Sequence, residues 1–134
     1  MTEVVIDASI AIRWLEPTGT PGGAPAQSLF DEFEAGRLNI VVPPLLFLEI
    51  LNVAGRRWHW AEARLVELTT RLAGMFEDVV PPDLGRVAVW TARGLSAYDA
   101  SYVALAEERA IPLITDDQRI IAVAAGIARP SIAG

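Results

Sequence analysis

The sequence predicts an α/β fold, a central parallel sheet with helices packed on both of its faces. Three observations predict it. Short, continuously apolar runs recur along the 134 residues, the pattern of strands buried on both faces. Helical patterns separate those runs, and strands alternating with helices form parallel crossovers. Acidic residues directly follow two of the runs, at strand ends where open α/β sheets bind their ligands.

Length and composition bound the rest. At 134 residues the chain is expected to be one domain, 1–134, with enough length for a real core and at most one active site. Hydrophobic residues make up 52% and charged residues 21%, which places it among globular rather than disordered chains. No run of 18 apolar residues exists and no basic region precedes the first strand, so a cytoplasmic protein without membrane association is expected.

The absent residue types narrow the chemistry. No cysteine is present and His59 is the single histidine. Thiolate catalysis, thiolate zinc sites and paired-histidine chemistry are therefore excluded, and a Ser-His-Asp triad has little room. All 11 basic residues are arginine, which removes mechanisms that need a lysine but suits phosphate recognition. Chemistry in this chain must rest on carboxylates, and carboxylate clusters favour hard cations such as Mg²⁺ or Mn²⁺. The net charge of -6 argues against nucleic acid, unless several of the 17 acids gather around a cation.

Taken in order, Glu3 to Ile6 reads as a buried strand ending at Asp7, and Ala8 to Glu16 as a helix. Asp7 suits either an N-cap or a functional acid at that junction, and Ser9 either a second cap or a water ligand. Pro17 stops the helix, and Thr18 to Pro25 is a flexible loop by composition. A helix over Ala26 to Ala35 is closed by Gly36, and Leu38 to Val42 is the next strand. Pro43 and Pro44 then open a helix from Leu45 to Val53 that is apolar nearly all round and so expected to be buried.

Arg56, Arg57, Trp58, His59 and Trp60 suit either phosphate and base contacts or a packed helix end. Ala61 to Met75 is an amphipathic helix, Phe76 to Val80 a modest strand, and Asp83 to Arg93 a helix terminated by Gly94. A small, apolar helix then reaches Glu107-Glu108-Arg109, followed by a strand over Pro112 to Thr115, a helix from Ile120 to Ala125, and an edge strand from Ile127 to Ile132. No internal repeat appears.

Two acids stand out against this pattern. Glu49 is the only charged residue between Arg37 and Arg56 and must be neutralised, paired or metal-bound. Asp99 precedes Tyr102, Val103 and Ala106 on one helical face that should pack inward. Ser96 with Asp99 also has capping-box spacing, and both roles can hold together. Asp7 and the Asp116/Asp117 pair would share the sheet edge, within reach of Glu49 and Asp99. Four such carboxylates repel by several kcal/mol unless a divalent cation joins them.

These segments resemble a family. Val5-Ile6-Asp7-Ala8-Ser9, Pro44 through Glu49, Leu95-Ser96-Ala97-Tyr98-Asp99-Ala100 and Leu113-Ile114-Thr115-Asp116-Asp117 are similar to the PIN-domain ribonucleases, specifically the VapC-type toxins of bacterial toxin-antitoxin pairs. The resemblance runs from Val4 to about Ile121. It implies a PIN-like three-layer α/β/α fold with a parallel sheet of four to five strands. It also implies an Mg²⁺- or Mn²⁺-dependent endoribonuclease whose acidic cluster is Asp7, Glu49, Asp99 and Asp117. Asp116 occupies the variable position beside the last acid and is an alternative metal ligand. Ser9 and Thr115 match the hydroxyl positions that support the cluster. Arg13, Arg56, Arg57 and Arg119 are candidates to hold flanking phosphates of the RNA.

The resemblance further implies a homodimer and an antitoxin partner, for which Trp14, Leu15 and Phe47 offer apolar surface unless they serve the core. A receiver domain and a haloacid-dehalogenase-type phosphatase both require a lysine and are excluded. A catalytically inactive PIN-like binding module stays open as the alternative.

Overall fold

The protein is described by a computed structural model over residues 2–16 and 23–131. Its elements in chain order are β1 (Thr2–Ile6), α1 (Ala8–Leu15), α2 (Gly23–Glu34), β2 (Leu38–Val42) and α3 (Leu45–Asn52). A π-helical turn (Val53–Arg57) continues α3, followed by α4 (Glu62–Met75), β3 (Asp78–Val79) and α5 (Leu84–Ala92). The chain continues through α6 (Ala97–Arg109), β4 (Leu113–Ile114), α7 (Gln118–Val123) and β5 (Ala128–Arg129). Pro17 and the first part of the expected loop lie outside the described residues, as does Ile132 of the expected last strand.

All five strands are parallel, in the order β3-β2-β1-β4-β5. Val5 at the centre stands between Val41 of β2 and Leu113 of β4. The chain winds outward from β1 through β2 to β3, then crosses back to β4 and β5. Strand order therefore reverses between β1 and β4, and the crevice beyond their carboxyl ends is the fold's ligand-binding position. Crossovers between parallel strands are right-handed as a rule, and winding in two directions from β1 then puts helices on both faces of the sheet. Val5, Ile6, Val41 and Leu113 are fully buried, as expected of central strands covered on both sides.

Three departures from expectation are local. Gly23, Ala24 and Pro25 belong to α2 rather than to the preceding loop, since a proline is accommodated in a helix's first turn. The outer strands pair over two residues each, although sheet-like bonds extend further, from Val5 N–H to Pro112 O and from Thr115 N–H to Arg129 O. The helix carrying Glu49 is not buried all round: Leu46 and Ile50 are enclosed, whereas Leu48 is 66% exposed. Trp14 and Phe47 join Phe30, Phe33 and Phe76 in one aromatic cluster, and Leu15 is buried, so all three serve the chain's own core. Among the described residues, no helix is long and apolar enough to cross a membrane.

Helix ends follow their sequence signals. After α5, Gly94 takes φ +112°, and its N–H and that of Leu95 bond back to Thr91 O and Trp90 O, the paired bonds of a glycine-terminated helix. After α6 the same two bonds form, from Ala110 N–H to Glu107 O and from Ile111 N–H to Ala106 O, but the residue at φ +55° is Ala110. A Cβ in that region costs about 1–2 kcal/mol. Ala110→Gly should therefore stabilise the protein, by about 1 kcal/mol after the extra unfolded-state entropy of glycine is subtracted. Thermal unfolding should show a midpoint raised by a few degrees; an unchanged or lower midpoint would contradict the strain.

Candidate active site

Two hydroxyls define the centre of the site. Asp7 leaves the end of β1 as the N-cap of α1, with Oδ1 accepting from Ser9 N–H at 3.1 Å and Ser9 Oγ at 2.5 Å. Its Oδ2 accepts from Thr115 Oγ1 at 2.5 Å. Each hydroxyl in turn accepts a backbone N–H from the segment after β4: Asp116 N–H to Ser9 Oγ at 3.1 Å, and Asp117 N–H to Thr115 Oγ1 at 3.0 Å. An amide that donates to a hydroxyl makes it a better donor. The loop after β4 thus reinforces both bonds to a carboxylate on β1, across the crevice where strand order reverses.

Capping and function are combined at Asp7. It is only 5% exposed, and burial outweighs the hydroxyl and amide bonds to push its pKa up to about 6.

Glu49 and Asp99 come to the same crevice from helices. Glu49 projects from α3 and accepts a hydrogen bond at Oε1 from the Tyr102 hydroxyl of α6. Asp99 lies in the first turn of α6, where Ser96 caps the helix by accepting the Asp99 N–H at 3.0 Å. Ser96 supplies the hydroxyl half of the expected capping box, and its hydroxyl also bears on the Asp99 carboxylate, holding that pKa down in part. Both carboxyls are raised above their ordinary values, first by burial and then by a neighbouring charge, Asp99 acting on Glu49 and Asp117 acting on Asp99. The Tyr102 phenol is raised by its burial and by Glu49, Asp7 and Asp99 together. Asp7, Glu49, Asp99 and Asp117 therefore share one electrostatic neighbourhood.

The neighbouring pair after β4 divides its work. Asp117 caps α7 through Oδ1, accepting from Arg119 and Ile120 N–H at 2.9 and 3.2 Å. Asp116 is turned to Arg13 Nε at 2.9 Å and accepts from Ser131 Oγ at 3.0 Å. The acid that acts on Asp99 is Asp117, and Arg13 neutralises Asp116. Arg119 donates to Gly94 O at 2.7 Å and lowers the Asp99 pKa slightly as a nearby positive charge. Arg56 and Arg57 are exposed on the π-helical turn, with no ion pair among the described residues. Trp58 and Trp60 pack partly into the core, and Arg64 covers Trp60 at 3.7 Å, so the helix-end reading describes the aromatics.

Sequence reasoning missed Tyr102, counted there among inward-packing residues. Its signal was a polar atom one helical turn beyond Asp99 on the face destined for the interior.

Among the described residues, no group of three acids closes around an ion by itself. The donor set nonetheless fits Mg²⁺ or Mn²⁺. Mg²⁺ retains several waters and is held through one or two carboxylates rather than an all-protein cage. Three of the acids are also raised in pKa, so a cation would relieve a charge the fold itself leaves poorly compensated.

Fold and acids together define a PIN-type α/β domain. The model of the PIN domain family matches residues 4–126, and the chain belongs to that family. The chain is similar to PAE2754 from Pyrobaculum aerophilum, at 25% identity and a TM-score of 0.65 over 97% of this chain and 91% of that one. FitAcB from Neisseria gonorrhoeae superposes with a TM-score of 0.73 at 14% identity, covering 96% and 97% of the two chains. A toxin-antitoxin complex from Klebsiella pneumoniae gives 0.69 at 17% identity, covering 98% and 99%. Comparison with curated proteins finds no match.

The Asp7 pKa carries a stability consequence. Folded Asp7 binds its proton near pH 6, whereas an aspartate at the ordinary value of 3.8 binds it only in stronger acid. Between those values the folded state holds the extra proton, so stability rises on acidification through this window and is lost again toward neutrality. Ionised Asp7 costs on the order of 3 kcal/mol at pH 7. With a chelator present, the melting temperature should be higher at pH 5 than at pH 7, and Asp7→Asn should flatten that difference. A wild-type protein less stable at pH 5 would contradict this assignment.

Proposed function

We propose that this protein is a metal-dependent endoribonuclease, the toxin of a VapC-type toxin-antitoxin pair. The observation that supports the reading is the repulsion that links acids from α3, α6 and the start of α7, Asp99 acting on Glu49 and Asp117 on Asp99, beside the buried Asp7 at the strand-order reversal. PIN-family membership supports hydrolysis of a phosphodiester. When bound, Mg²⁺ or Mn²⁺ supplies Lewis-acid polarisation of a phosphate oxygen and a lowered pKa for water.

The chain's own residues do the rest. Asp7 and Asp99 would hold the cation, and Glu49 and Asp117 would complete the negative cluster and orient the attacking water. Ser9 and Thr115 keep the Asp7 carboxylate fixed from behind, the support that ligand carboxylates need. Arg56 and Arg57 are exposed for flanking RNA phosphates, and Arg119 stands beside Asp99. Arg13, engaged by Asp116, is better assigned to holding the loop after β4 than to RNA, and Asp116 is correspondingly set apart from the metal ligands.

Likeness to the toxin-antitoxin complex from Klebsiella pneumoniae supports an antitoxin partner, and a homodimer is the proposed assembly. A catalytically inactive PIN-like module is the second reading, favoured by the hydroxyl bonds that already occupy both oxygens of Asp7.

Antitoxin-free protein with single-stranded RNA and Mg²⁺ or Mn²⁺ separates the readings. Cleavage should require the metal and stop with a chelator. Asp7→Asn and Asp99→Asn should each lower kcat/KM on the order of 10³-fold, since metal-assisted charge stabilisation supplies several kcal/mol. Variants that cleave as fast as wild type, or a wild type that cleaves nothing, would leave the binding module.

A further inference from the structure

Tyr102 is the largest of the fully buried side chains, with 1% of its surface exposed. Its ring fills core space that a phenylalanine would fill as well. The hydroxyl is another matter, since a buried phenol needs a hydrogen-bond partner and brings a polar atom into an apolar layer. Here the partner is Glu49 Oε1. It is the only hydrogen bond the Glu49 side chain makes among the described residues. One donor therefore restrains a long, otherwise mobile side chain and leaves its second oxygen uncommitted.

Placement matters as much as the bond. Tyr102 follows Asp99 by one helical turn on α6, so the two side chains share a face. By reaching across to α3, the hydroxyl brings Glu49 toward the acid one turn before it. Ser9 and Thr115 perform the comparable task for Asp7, and no other described group performs it for Glu49.

On the reading of these acids as a divalent-cation site, we propose that Tyr102 is a positioning residue, its hydroxyl anchoring Glu49 so that Glu49 and Asp99 serve the same ion. Mn²⁺ binding measured by calorimetry on the full chain tests this without recourse to RNA cleavage. Tyr102→Phe should weaken Mn²⁺ affinity by about 10- to 100-fold, the usual effect of removing a group that orients a metal ligand. In a Glu49→Gln background the same change should have little further effect, because both act through one side chain.

An unchanged affinity for Tyr102→Phe, or an equal loss with and without Glu49→Gln, would overturn the proposal and leave Tyr102 a core residue. A wild type that binds no Mn²⁺ would overturn the cation site itself. A second measurement keeps Tyr102 intact: the resonance of its hydroxyl proton should move upfield in Glu49→Gln, where the acceptor loses its charge. A proton indifferent to that change would also overturn the proposal.

Discussion

Everything at this site depends on how Asp7 is held. A carboxylate with 5% exposure at the end of a central strand is costly to keep charged, and no arginine pairs with it among the described residues. Two hydroxyls carry the stabilisation, each oriented by a backbone amide from the segment after β4. Strand pairing of β1 with β4 is therefore inseparable from the state of Asp7. If the register slipped by one residue, Thr115 would face the other side of the sheet and Oδ2 would lose its donor.

The same design recurs outward from Asp7. Glu49 is held by a phenol, Asp99 begins a capped helix, and Asp117 caps the next one. Helix starts are suitable places for acids, because their unpaired amides and positive dipole ends partly offset a carboxylate's charge. That offset is incomplete where the acids act on one another, and their raised pKa values record the remainder. Around them the chain closes its surface charges locally, as Arg37 does with Glu32 and Arg86 with Glu107, while Asp116 is neutralised by Arg13. The acids whose pKa is raised, Asp7, Glu49 and Asp99, are those that border the crevice.

Much of this was legible in the residues. Apolar strands ending in acids predicted the sheet and its crevice, and Gly94 marked the end of α5 as expected. Glu49 stood out because no other charge lies near it in the sequence. What could not be read were relations decided in three dimensions. Asp116 and Asp117 are neighbours with the same chemistry, and their division of labour depends on Arg13, contributed by a helix more than 100 residues earlier. Tyr102 was hidden because its ring satisfied the apolar pattern, so its hydroxyl went uncounted. The burial expected around Glu49 was overstated, since periodicity does not reveal which side of an apolar helix remains open, as Leu48 does here.

The central claim is that this gathering of acids is tolerable alone and better with a divalent ion. Thermal unfolding of the metal-free protein at pH 7.5, with and without Mn²⁺ well above its dissociation constant, tests it most directly. The account predicts a melting temperature that climbs with Mn²⁺ concentration, corresponding to about 2.7 kcal/mol at a hundredfold excess over that constant, and no such climb in Asp99→Asn. A melting temperature indifferent to Mn²⁺ in the wild-type protein would contradict it.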